Sequence, residues 1–197
     1  MRLRSIYHTS EGEKFFSIGR WIIGWTWVLG LFYGKGKALK YNYSHEELWI
    51  PEALGRFTLP SAVGTIKDKD EVGSRVVAGQ CFSSTTRGDA EGVRFAPASD
   101  VLKHPERWKY IEFEVPDEHW KATKDWLELE VGKPYDFWGA AGFVLPVIKQ
   151  TNKLWFCSEI CDWIKYSLCI FSKRHQPISP RRSAMLMVPD WGEPKGL

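Results

Sequence analysis

Residues 154–168 read LWFCSEICDWIKYSL, and how this stretch folds decides where the chemistry of the chain lies. Leu154, Trp155 and Phe156 form a short apolar run. From Ser158 onward, Ile160, Cys161, Ile164 and Leu168 recur at helical spacing, which predicts a helix over 158–168. Cys157 therefore stands where the apolar lead-in turns into the helix. A thiol is an effective nucleophile as a thiolate, and a helix N-terminus favours that form through its unpaired N–H groups and its dipole. The same amides can stabilise an oxyanion on an attacked carbonyl. Cys161 and Cys169 fall on the helix body and Cys81 falls in an apolar strand, so packing is their expected role.

A base for Cys157 is found upstream. Residues 41–50 (YNYSHEELWI) mix aromatic, aliphatic and polar positions as a strand does, and Pro51 ends the run. His45 and Glu47 are two apart, so on a strand they share a face. A carboxylate beside an imidazole fixes its tautomer and stabilises the imidazolium formed when it takes a thiol proton. Glu46 points the other way and is expected to be dispensable. The remaining histidines lack this context: His8 lies in the polar N-terminus, His104 before Pro105, His119 in a first helical turn and His175 beside Lys173 and Arg174.

Around these two segments, residues 76–84 (VVAGQCFSS) form another strand candidate, followed by a polar loop over 85–89 and Gly92. Residues 108–115 (WKYIEFEV) alternate cleanly, with Ile111, Phe113 and Val115 on one side. Pro116 stops that strand. Asp117 is the expected N-cap of a helix with Trp120, Thr123, Leu127 and Val131 on one stripe, closed by Gly132. A further helix is expected over 135–149, interrupted near Pro146, and a last strand over 184–188 (AMLMV). Strands and helices in this mixed order define an α+β class.

Composition narrows the function. The chain has 197 residues, 44% hydrophobic and 26% charged, with eleven Trp, eleven Phe and seven Tyr, enough to form a real core. Its net charge of +3 is spread among acids, unlike the one-sided basic face of a nucleic-acid binder. Cys157 and Cys161 lack the second pair that a zinc site needs, so neither metal nor cofactor is expected. Residues 1–14 do not read as a leader, which makes a reducing cytoplasm the default compartment. Residues 15–34 (FFSIGRWIIGWTWVLGLFYG) are long enough to span a bilayer, but four glycines and the off-centre Arg20 favour a buried or groove-covering helix over membrane contact. Residues 1–40, this helix and its turn, are thus part of, or appended to, a domain over 41–197.

Three segments in order carry a resemblance: Ser44-His45-Glu46-Glu47-Leu48, then Gly132-Lys133-Pro134-Tyr135-Asp136, then Trp155-Phe156-Cys157-Ser158-Glu159. Together they resemble the circularly permuted NlpC-type papain-like cysteine hydrolases, in which the His segment precedes the Cys segment; ordinary papain-like enzymes have the reverse order. The resemblance runs from about residue 44 to 167. It implies a permuted papain-like fold, an antiparallel sheet packed against helices with the catalytic Cys at a helix N-terminus. It further implies Cys157 as nucleophile, His45 as base and Glu47 as the residue that orients His45. Tyr135 and Ser158 would be substrate-binding residues, Tyr135 alternatively an aromatic packing under the cysteine helix. Glu159 would be a neighbour of the site or an acid that only caps the helix. The activity implied is that of a cysteine peptidase or amidase on a peptide or acyl-amide substrate, with bacterial or phage cell-wall peptides the natural class. The alternatives are a lipid-directed thiol acyl hydrolase or acyltransferase and a catalytically silent binding module.

Overall fold

Alternating burial along the strands builds the centre of the protein. The computed structural model describes residues 1–9, 43–51, 79–86, 91–141, 154–175 and 179–197, of which residues 140 and 141 by their backbone alone. Among these, β1 (Arg2–Thr9), β2 (Tyr43–Ile50), β3 (Gln80–Thr85), β4 (Gly92–Pro97), β5 (Trp108–Glu114) and β6 (Lys195–Gly196) form one antiparallel sheet in the order β4-β3-β2-β1-β5-β6. The helices are α1 (Ala98–Val101), α2 (Asp117–Glu130), α3 (Phe137–Ala141), α4 (Cys157–Ser167) and α5 (Pro180–Trp191). The class is α+β. No helix among the described residues is long and apolar enough to cross a membrane. Residues 15–34, the turn after them and the 142–149 part of the helix expected at 135–149 lie outside the described residues.

One sheet face carries the main core. Leu3 and Tyr7 of β1, Leu48 of β2, Phe82 of β3 and Ile111 and Phe113 of β5 meet Trp120 and Leu127 of α2, Ile160 and Ile164 of α4 and Ala184 and Met187 of α5. Each such side chain, fully buried, contributes about 1.5–3 kcal/mol through removal from water. The opposite face holds a smaller cluster of Ile6, Trp49, Cys81 and Trp108, covered by Ala98 and Leu102.

Several expectations need correction. β1 was read only as a polar N-terminus, yet it lies in the middle of the sheet between β2 and β5, so Arg2–Thr9 belong to the same domain as the rest. Its charges obscured the alternation. Arg4 is accommodated there because its Nε donates to Glu112 at 2.7 Å and its guanidinium lies over the Trp49 ring at 4.5 Å. Gly92 is not loop but the start of β4. The 184–188 run is helical: Ser179 caps α5 by accepting from Arg182 N–H at 3.3 Å, Pro180 starts it, and Ala184 and Met187 face the core three residues apart. A continuous apolar run has no period of its own, so the cap decides. In α2, Asp117 is the first helical residue, behind Pro116 at the cap, and Val131 is exposed beyond the helix end.

The turn after α2 is docked onto β4 by paired backbone hydrogen bonds, Val93 N–H to Lys133 O at 2.8 Å and Gly132 N–H to Val93 O at 2.9 Å. Gly92 makes this possible, with φ +97° and a Cβ position that would strike the Lys133 carbonyl. Gly92→Ala is therefore expected to destabilise the protein by about 1–3 kcal/mol, read by chemical denaturation. An effect near zero would mean that the turn does not dock in solution.

Candidate active site

The sheet splits where the site lies. β2 and β3 pair only over Leu48–Phe82, Trp49–Cys81 and Ile50–Gln80. Beyond that point side chains fill in: Ser83 Oγ donates to the Glu46 carbonyl at 2.7 Å, and the Cys161 thiol approaches the same oxygen at 3.8 Å. The start of α4 is held at this split. The Trp155 carbonyl accepts from Ser84 Oγ at 2.6 Å and from Asp136 N–H at 2.9 Å, and Tyr135 bridges Trp155 in parallel. On the other side the Trp155 indole N–H donates to Glu130 at 2.5 Å, and its ring meets Trp126, which stacks on Trp163. Trp155 of the apolar lead-in is thus held by Ser84, Tyr135, Asp136, Glu130 and Trp126, and Cys157 follows as the first residue of α4.

Cys157, His45 and Glu47 come together. The His45 ring is hydrogen-bonded to the Cys157 thiol, and His45 Nε2–H donates to Glu47 Oε1 at 2.9 Å. With Nε2 engaged by Glu47, Nδ1 is the nitrogen left for the thiol. All three are buried, at 6%, 7% and 2% exposure respectively. Trp108 walls the imidazole edge-on, with ring centroids 6.3 Å apart. Burial alone would lower the His45 pKa. The adjacent Cys157 sulfur, through its charge and hydrogen bond, and then Glu47, outweigh it and raise the value from 6.5 to about 9. The imidazolium is therefore the favoured form of His45 at neutral pH.

This carries a sign. A histidine whose folded pKa is raised contributes stability that is complete below pH 6.5 and lost as pH rises through about 9. Native stability is expected to fall across that window in the wild type and to lose this component in His45→Gln, as measured by denaturation at pH 6 and pH 9. An unchanged pH dependence in His45→Gln would show that the imidazole is not held charged.

The other predicted residues are placed as follows. Tyr135 is half-buried, its backbone beside Trp155 and its ring edge-on to Phe137 at 5.0 Å. Ser158 is fully enclosed, so its side chain presents no surface to a substrate, a correction to its assignment as a binding residue; at α4's first turn its backbone N–H is the group that could serve. Glu159 is a cap: its carboxyl accepts from Phe156 N–H, and burial first, then nearby Asp136, raises it to about 7. Burial pushes the Cys81 and Cys161 thiols well above their ordinary range, with Glu47 and Glu46 respectively adding to it, as befits packed thiols. Cys169, expected on the helix body, lies past the end of α4 and is exposed, at φ +60°. Glu46 points away from the site, as expected, but into the core, where it is fully buried and paired with Lys165.

Sequence reasoning missed two neighbours. His8 of β1 sits directly across the ladder from His45, buried, with Nδ1 3.3 Å from Ser44 Oγ. Arg94 of β4 donates through Nη2 to Glu47 Oε1 at 3.3 Å. Neither has a local signal, because each reaches the site across a strand pairing. Among the described residues no group of three or more His, Cys, Asp or Glu is arranged to hold a metal ion. No protein-family model, curated protein or solved structure matches the chain.

Proposed function

We propose that this protein is a cysteine hydrolase of the circularly permuted NlpC-type papain-like kind, cleaving an amide or peptide bond through a thiol acyl-enzyme. The observation that carries the reading is the His45 imidazole set between the Cys157 thiol and the Glu47 carboxylate at the start of a helix. His45 takes the thiol proton, and the thiolate attacks the substrate carbonyl carbon. The oxygen takes up the negative charge and is stabilised by the first-turn N–H groups of α4. His45 returns the proton to the leaving amine as the C–N bond breaks, leaving a thioester on Cys157. Water, deprotonated by His45, then attacks the thioester and releases the acid and the thiol. Peptides of the bacterial cell wall are the substrate class that the sequence resemblance favours.

A second reading, an acyl hydrolase or acyltransferase working on lipid-like substrates, is favoured by Phe137 and Trp138, exposed at 55% and 69% beside Tyr135. Peptide-amide and long-chain acyl-ester substrates separate the two. Turnover of the amide with slow ester cleavage supports the peptidase, and the reverse selects the lipid-directed enzyme. Turnover of neither, with an unreactive Cys157, defeats both.

Glu47→Gln tests the orienting role. Its amide cannot match the carboxylate's charge toward the imidazolium, so kcat/KM is expected to fall by roughly 10–100-fold. A fall under twofold would remove Glu47 from the site.

A further inference from the structure

Arg94, like His8, lies beside the Cys157–His45–Glu47 line without a local motif to explain it, and it alone of the two bonds Glu47. It stands on β4 opposite Ser83 and turns its guanidinium onto Glu47 Oε1, the same oxygen that His45 uses. Glu47 is almost fully buried, and its Oε2 has no hydrogen-bond partner among the described residues. A carboxylate this enclosed needs a counter-charge. His45 supplies one only while it is protonated, and in that state it also serves the thiolate. Among the described residues, the other ionisable groups on this face do not fill the gap. Arg4 of β1 is taken by Glu112 of β5 at 2.7 Å, and Cys81 of β3 is held protonated by burial. Lys103 and Asp100, on and beside α1, pair with each other at the surface. His8 lies across from His45 and bonds Ser44.

We propose that Arg94 is a positioning residue of this site: it fixes the Glu47 carboxylate that orients His45, and it balances that charge so that Cys157 can be a thiolate without a net negative neighbour. The inference rests on the hydrolase reading above. Thiolate, imidazolium, carboxylate and guanidinium then alternate in sign and sum to zero. Without Arg94 the buried cluster carries a net negative charge, which opposes thiolate formation.

The test is alkylation of Cys157 by iodoacetamide as a function of pH, read residue by residue by mass spectrometry so that exposed Cys169 does not confuse it. Arg94→Gln is expected to slow Cys157 at pH 7 by about tenfold and to move the profile to higher pH. Arg94→Lys, which keeps the charge, is expected to remain within about threefold of the wild type. The double variant Arg94→Gln/Glu47→Gln is expected to regain most of the alkylation rate, because the lone negative charge is gone, while turnover stays low. A merely structural role predicts that the double is no faster than the single, and that result overturns the proposal. Should Arg94→Gln fail to fold, Glu47→Gln is compared with the double variant: loss of Arg94 there slows Cys157 several-fold, and equal rates overturn the proposal. A wild-type Cys157 that alkylates only in the ordinary thiol range overturns the hydrolase reading and this inference with it. A reactive wild type whose profile is unmoved by Arg94→Gln overturns the role of Arg94 alone.

Discussion

Cys157→Ala is expected to abolish both turnover and labelling by a thiol-directed activity probe, and His45→Ala to reduce both by about 10²–10⁴-fold. The asymmetry has a physical source. On the proposed mechanism, removal of the sulfur removes the atom that would form the acyl bond. Removal of the imidazole leaves the sulfur in place at the helix N-terminus but takes away its proton acceptor. Cys169→Ser serves as the control, since that thiol is exposed and stands beyond the end of α4. Site-resolved labelling discriminates sharply. Cys81 and Cys161 are buried with their thiols pushed to high pH, so they should stay unlabelled in the native protein. Equal labelling of Cys81 and Cys157 would remove any special standing from Cys157.

The second large effect concerns stability. Glu46, between His45 and Glu47 in sequence, points into the opposite face of the sheet. There its Oε1 pairs with Lys165 Nζ and accepts from Ser5 Oγ and Ser183 Oγ, both at 2.9 Å. Lys165 also donates to Ser183 Oγ at 2.6 Å and to the Tyr7 hydroxyl at 3.3 Å. Burial works against the Lys165 charge, but Glu46 and Tyr7 outweigh it and keep the ammonium protonated. The network ties β1, β2, α4 and α5 at one point beneath the site. Removing either charge alone strands the other in the core, so Lys165→Met or Glu46→Leu is expected to cost about 3–5 kcal/mol. For a chain of this size that is a melting point lower by roughly 10 °C. The double variant Glu46→Leu/Lys165→Met should recover much of the loss, because no uncompensated charge remains. A single-variant cost below about 1 kcal/mol would match a solvated surface pair and contradict the burial seen here.

The legible part of the fold had strong periodicity. The alternation of WKYIEFEV gave β5, the i, i+3, i+4 spacing after Cys157 gave α4, and the two-residue step from His45 to Glu47 placed both on one face of β2. β1 and β4 were not legible. The arginines of β1 look like surface until Glu112 and Trp49 are seen to receive Arg4, and β4 is a short strand opened by a glycine that only its contact with the Lys133 carbonyl explains. Residues 184–188, the middle of the helix at 180–191, were read as a strand because five apolar residues in a row fit either form.

Sequence alone determined which side chains could do chemistry: a cysteine at a helix start, a histidine with an acid two residues on, and their order along the chain. Those depend on local rules, the turn of a helix and the pleat of a strand, which act over a few residues. Tertiary structure alone decided that the two segments meet, since that requires β2 and β3 to part and the start of α4 to be clamped at the split. It also decided that Glu46 is a buried partner of Lys165, and that Arg94 reaches Glu47 from two strands away. Pairings of this kind are set by sheet register and by the cost of burying an uncompensated charge, and neither is written in any short stretch of the chain.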